Sequence, residues 1–242
     1  MLGARSREDV VAMAGVRFSW PGRQGFALEV QRFEVGRGES LLLTGPSGSG
    51  KSTLLSLLCG VLSPRAGSVG ILGTDLTRLS AVARDRFRAE HFGIIFQMFN
   101  LLPYLSILDN VLLPLSFAQG RRRRVVEHGR TVDAEARRLL TNLGLDADAF
   151  AGQPAAALSV GQQQRVAAAR ALIGAPEIVV ADEPTSALDR DRQQEFLDLL
   201  FQDVGVAGAT LIMVSHDESL APRFDRVLAI AEIAVVQQGG AP

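Results

Sequence analysis

Apolar residues fall into two rhythms along this chain, one short and interrupted, the other helical. Across residues 11–35 they form short runs broken by Pro21, Gly22 and Gly25 and closed by Gly36. That pattern predicts short strands joined by turns, an antiparallel edge to a larger sheet. Residues 40–44 are a compact apolar strand, 45–50 a glycine-rich loop, and 51–59 a helix that offers Leu54, Leu55, Leu57 and Leu58 for packing. From 84 to 158 the spacing is mainly helical, most clearly at 133–143, where Gly144 supplies a stop. Residues 159–172 predict a further helix ahead of Pro176, and 190–202 another. Between and after these helices, 177–181 and 210–215 are short apolar runs rich in β-branched residues, the mark of buried parallel strands. The expected class is α/β: a core with a parallel sheet, an N-terminal antiparallel β subdomain and an inserted α-helical subdomain. The expected bounds are one domain over 1–242, with the core and its β subdomain in 1–97 and 160–242 and the helical subdomain in 98–159.

One apolar stretch, 100–118, has about the length of a membrane-spanning helix. Pro103, Pro114, Asp109 and Asn110 lie within it and oppose spanning, so it reads as a buried loop and helix that also offers a docking surface. With 242 residues, 47% hydrophobic and 21% charged, the chain can bury a sizeable core, and a formal charge of −1 gives no general attraction to nucleic acid. Cys59, the sole cysteine, cannot form an internal disulfide, and residues 1–10 have no apolar secretory core, which together point to a cytoplasmic chain. The four arginines at 121–124 read as a solvated loop or helix end, with anionic lipid headgroups or a partner as the alternative.

Lys51 is the only lysine, in a chain that uses arginine for every other basic side chain apart from histidine. Its position therefore marks a task for a compact point charge. It closes Gly45-Pro46-Ser47-Gly48-Ser49-Gly50-Lys51-Ser52, followed by Thr53, which fits the P-loop pattern between a strand and a helix. Glycines there let backbone N–H groups turn inward around phosphate oxygens, while Lys51 reaches the β- and γ-phosphates and the Ser52 hydroxyl ligates magnesium. Asp182 and Glu183 end an apolar strand, where open α/β sheets bind ligands; Asp182 suits magnesium and Glu183 the activation of water. Taken alone, paired acids after a strand also occur as ordinary solvated loop residues. Ser159 can cap a helix whose free N–H groups face an anion, and Gly161 permits close approach, so a second phosphate-binding end is expected.

The run Leu158-Ser159-Val160-Gly161-Gln162, followed by Gln163-Gln164-Arg165, resembles the signature motif of the ABC ATPases. Gln97 in Phe96-Gln97-Met98 resembles their Q-loop, Ser186-Ala187-Leu188-Asp189 their D-loop and His216 their switch histidine. Trp20 stands where the family often has a tyrosine that stacks on adenine, with core packing as the alternative. The resemblance covers nearly the whole chain and implies an ATP hydrolase of an ABC transporter. By resemblance, Glu183, His216, Lys51 and Gln97 serve catalysis; Trp20, Gly45 to Thr53, Gln97, Ser159, Gly161, Gln162, Asp189 and His216 contact ATP; and Ser52, Gln97 and Asp182 surround Mg2+. It also implies a head-to-tail dimer of two copies, transmembrane permease partners, a peripheral place on the cytoplasmic face of the bacterial inner membrane, and no nucleic-acid partner. Val160 departs from the usual glycine; it keeps an N–H but resists positive φ. Phe99-Asn-Leu-Leu-Pro and Asp109-Asn-Val-Leu-Leu-Pro are similar to the ATPases of the lipoprotein-releasing and macrolide-exporter group, which implies export or mechanical transmission. Ser186-Ala187 looks more like amino-acid importers, so an importer stays open, as does a soluble non-transport ABC ATPase.

Overall fold

A computed structural model describes residues 8–20 and 26–238; Pro21, Gly22 and Gly25, read above as turn residues, lie outside the described residues. The elements run β1 (Asp9–Ser19), β2 (Phe26–Gly36), β3 (Ser40–Thr44), α1 (Lys51–Leu58), β4 (Ala66–Ile71), β5 (Thr74–Asp75), α2 (Ala81–His91) and β6 (Phe92–Ile95). They continue with α3 (Ile107–Leu112), α4 (Gln119–Glu127), α5 (Val132–Asn142), α6 (Ala147–Phe150), α7 (Val160–Leu172), β7 (Ile178–Asp182) and α8 (Arg190–Ala207). The last are β8 (Thr210–Val214), β9 (Arg226–Ala229), α9 (Ile230–Ile233) and β10 (Ala234–Gln238). Two compact units divide the chain, one formed by 1–85 with 213–242 and the other by 86–212.

In the first unit an antiparallel sheet runs in the order β10-β2-β1-β4-β5. β1 and β2 are two strands of 11 residues each rather than several short ones. Buried positions change parity along both strands, from Val11 and Met13 to Val16 and Phe18, and from Leu28 and Val30 to Phe33 and Val35. Gly15 takes φ 57° at the switch, so the strand bends without ending. A parallel pair, β3 with β9, runs from Leu41↔Arg226 to Thr44↔Ala229 in the same unit. Leu41, Leu42 and Leu43 are fully buried, which is why this strand reads as a continuous apolar run.

In the second unit β6 and β7 pair in parallel from Phe92↔Ile178 to Ile95↔Ala181. Thr131 caps α5 by accepting the Ala134 N–H, and Gly208 in left-handed backbone ends α8 five residues beyond the 190–202 helix anticipated. No helix among the described residues is long and apolar enough to cross a membrane. In the apolar stretch that follows Gln97, Phe99, Ile107, Val111 and Leu115 are buried, Leu101, Leu102, Leu105, Leu108, Leu112 and Leu113 are half-buried, and Met98, Tyr104 and Phe117 stand exposed.

The arginine run is a correction. It lies within α4, and Arg121 is 1% exposed. Its guanidinium donates to the carbonyls of Ala171 and Ile173 at the end of α7 (2.8 Å each) and to the carbonyl of Phe92 (3.0 Å). Helix ends leave carbonyls without intrahelical partners, and an arginine fork satisfies several at once. Burial pushes the Arg121 guanidinium down to about 9. Only Arg122 and Arg123 of the four are exposed as expected.

Candidate nucleotide site

β3 ends at Thr44 and releases the chain into a loop whose geometry only glycine tolerates easily. Gly45, Gly48 and Gly50 have φ of 151°, 79° and 93°. A Cβ at Gly45 would stand 2.7 Å from Ile230 Cγ2 of α9, a neighbour the sequence alone did not suggest. Gly50 is the N-cap of α1 and carries no side chain, so no side-chain cap hydrogen bond closes that helix end. Lys51 is only 7% exposed, and its Nζ donates to the carbonyls of Gly45 (2.6 Å) and Pro46 (3.0 Å). Among the described residues no carboxylate pairs with it. A buried ammonium facing only neutral carbonyls, beside an uncapped helix end, is a place that favours an anion. Ser49 Oγ, buried without a hydrogen-bond partner, is a further polar atom left for a ligand.

Two other predicted residues lie in this unit. The Ser215 N–H donates to Leu43 O at 3.1 Å, which sets the next residue, the exposed His216, beside the strand that feeds the loop. Trp20 follows β1, 37% exposed, with its ring edge-to-face on Phe18 at 5.2 Å. The indole is thus held against Phe18, and more than a third of the residue remains open.

In the second unit the parallel pairing of Ile95 with Ala181 brings Gln97 and the Asp182-Glu183 pair off the same ends of adjacent strands. Gln97 is exposed; Asp182 and Glu183 are half-buried. Glu183 has φ 47°, a left-handed conformation rare for a side chain of this kind, and it precedes Pro184. Phe99 and Asn100, just after Gln97, are also left-handed at 56° and 50°.

The Ser159 end of α7 differs from the loop end of α1. Ser159 Oγ accepts from Gln162 N–H at 3.4 Å, and Gln162 Oε1 accepts from Ser159 N–H at 2.9 Å, a reciprocal capping box. The N–H groups of Val160 and Gly161 lie outside that box. Val160 is 48% exposed in the first helical turn and does not take positive φ, so valine meets no backbone strain there. A Cβ at Gly161 would meet only Leu188 Cδ2, at 3.8 Å, so nothing in the described chain requires glycine at this point. Asp189 caps α8, its carboxylate accepting the Arg192 N–H at 3.0 Å. Gln164 and Arg170 of α7 were assigned no role from sequence. The structure ties the first to Pro184 O at 2.5 Å and the second to Asn100 O at 2.7 Å and to Phe99 O.

A glycine loop bent around a buried lysine, at the end of a parallel strand and the start of a helix, defines a P-loop nucleotide-binding protein of the α/β class. The chain belongs to the ABC transporter family, whose profile matches residues 28–186. It is similar to the lipoprotein-releasing system ATP-binding protein LolD 1 of Caulobacter vibrioides, with 41% identity over 199 residues, 82% of this chain and 81% of that protein. It is also similar to the macrolide export ATP-binding/permease protein MacB 1 of Aeromonas hydrophila, with 40% identity over 236 residues, 95% of this chain but 34% of that longer protein. Among solved structures it resembles the dimeric, post-hydrolysis state of the ATP-binding cassette MJ0796 bound to ADP and Pi. That likeness has a TM-score of 0.72 and 32% identity, covering 90% of this chain and 93% of the other. The chain is an ATP-binding, ATP-hydrolysing subunit of the ABC transporter type.

Proposed function

We propose that two copies of this chain bind two ATP molecules head to tail and drive a transmembrane permease, serving export or mechanical transmission from the cytoplasmic face of the bacterial inner membrane. The observation that carries this reading is the unequal pair of anion-binding ends: an open one at α1 with a buried lysine, and a partly closed one at α7. The first is suited to hold a triphosphate alone; the second offers the N–H groups of Val160 and Gly161 and the Ser159 hydroxyl to a γ-phosphate held by the partner. The dimeric state of the MJ0796 cassette supports two copies, and the names of LolD and MacB support export or release. An importer is the second reading, favoured by the exposed Ser186-Ala187 in the turn before α8.

In this mechanism Lys51 holds the β- and γ-phosphates, Trp20 stacks on adenine, and Glu183 polarises the attacking water in line with the γ-phosphate. His216 contacts the γ-phosphate, and Gln97 reports its presence to the exposed Met98, Tyr104 and Phe117, where the permease docks. Gln162 and Asp189, which here cap their own helices, complete the nucleotide contacts across the dimer. Among the described residues no cluster of three or more acidic, histidine or cysteine side chains could cage a metal. The hard oxygen donors Ser52, Gln97 and Asp182 suit magnesium, which keeps most of its ligands from phosphate and water. Bound there, magnesium neutralises charge on the phosphates. Closing the dimer on ATP and opening it after hydrolysis biases a two-state equilibrium that the permease reads as motion.

Magnesium-dependent ATP hydrolysis measured against chain concentration tests this reading, with Glu183→Gln as control. Specific activity that rises with concentration, and is lost in Glu183→Gln while ATP binding persists, is expected. Hydrolysis by Glu183→Gln at the unaltered rate would remove Glu183 as the base.

A further inference from the structure

Helix α7 does more in this structure than present its N-terminus to a phosphate. Two of its side chains reach the two loops of its own unit that carry Gln97 and Glu183. Arg170 donates to the carbonyls of Phe99 and Asn100, and Gln164 donates to the carbonyl of Pro184. Both targets adjoin non-glycine residues in left-handed backbone, Phe99 and Asn100 in one loop and Glu183 in the other. Such conformations persist only where surrounding contacts hold them. Glu183 is doubly constrained, because a residue before proline is already restricted toward extended backbone.

Gln164 is 1% exposed. The orientation of its amide is fixed by chemistry: Pro184 O can only accept, so the NH2 group must face it. The other amide atom, Oε1, is then buried with no hydrogen-bond partner. Burying an unsatisfied amide oxygen costs stability, and an apolar side chain of the same length would avoid that cost. The residue is therefore placed for what its N–H does and against what the fold alone would choose. The next residue of the turn is pinned as well, with Thr185 Oγ1 accepting from Gln193 Nε2 of α8 at 3.1 Å.

We propose that Gln164 is a positioning residue for ATP hydrolysis: from the signature helix it holds the Glu183-Pro184 turn in the left-handed conformation that presents the Glu183 carboxylate to the attacking water. A phosphate received at the N-terminus of α7 is thereby linked, through one helix and one hydrogen bond, to the carboxylate of the same chain. This rests on Glu183 being the base, as set out above.

The test measures kcat, KM and ATP affinity of the full chain for Gln164→Met and Gln164→Glu, with Glu183→Gln alongside. Gln164→Met keeps the length, removes the donor and removes the orphan oxygen. It is expected to lower kcat on the order of 10- to 100-fold, since misplacement of a reacting group has effects of that size, with KM and ATP affinity unchanged and the thermal midpoint unchanged or raised. Gln164→Glu can donate to Pro184 O only when protonated, so its kcat should rise relative to the unsubstituted chain as pH falls from about 8 toward about 6, the range to which burial can lift a carboxyl. Hydrogen exchange of residues 182–188 should quicken in Gln164→Met, a readout that does not depend on turnover. A Gln164→Met chain with full kcat, or a Gln164→Glu pH profile parallel to the unsubstituted one, overturns the proposal while Glu183→Gln remains inactive. Activity in Glu183→Gln instead overturns the reading beneath it, and the two failures are thus separate.

Discussion

The N-termini of α1 and α7 are the two helix ends proposed to receive phosphate, yet one is left open and the other is closed on itself. At α1 the cap is Gly50, which contributes no side chain, and the adjoining lysine is buried. At α7 the Ser159-Gln162 box already satisfies two of the orphan N–H groups and the end is exposed. An open end with a buried cation is held in shape for its ligand and depends on that ligand for electrostatic balance; a self-capped end is stable without one and offers only what the box leaves over. The difference supports the proposed roles, with primary binding at the first and a conditional, second contact at the other.

Substitutions can break or sharpen this contrast. The largest effect is expected from Lys51→Ala, which removes a charged phosphate contact and should weaken ATP binding by about 10- to 100-fold, read by equilibrium titration. Gly161→Ala should separate fold from function: helix stability rises by about 0.5–1 kcal/mol because alanine loses less backbone entropy, ATP binding by the single chain is unchanged, and hydrolysis falls about tenfold or more. Thermal unfolding and kcat measured together check it, and undiminished turnover would mean that no ligand approaches Gly161. Ser159→Ala should cost about 1 kcal/mol of stability through the lost cap and should also slow hydrolysis, whereas no counterpart exists at α1 because Gly50 has no cap to lose. Val160→Gly is expected to do least, changing turnover by less than about twofold and costing under about 1 kcal/mol, since Val160 occupies ordinary helical backbone.

The open end was legible in the sequence because its requirements are local. Strand, glycines, lone lysine and helix are contiguous, and residues 40–58 fold as their pattern predicts. Ser159 as a cap was legible for the same reason. Gln164, Arg170 and Arg121 were not, because their partners are backbone carbonyls 20, 70 and about 50 residues away, and a carbonyl has no letter in the sequence. The arginine run illustrates this: charge alone argued for solvent, and only the carbonyls at the end of α7 explain why Arg121 is buried.

The central claim is that each ATP is held by the α1 end of one chain and the α7 end of another. Mixing two inactive variants tests it most directly: Lys51→Ala, which spoils only the α1 end, and a bulky substitution such as Gly161→Leu, which spoils only the α7 end. In a mixed dimer one composite site unites the intact loop of the Gly161→Leu chain with the intact signature of the Lys51→Ala chain. The account predicts that the mixture hydrolyses ATP although each variant alone does not. A mixture no more active than its separate components would contradict it.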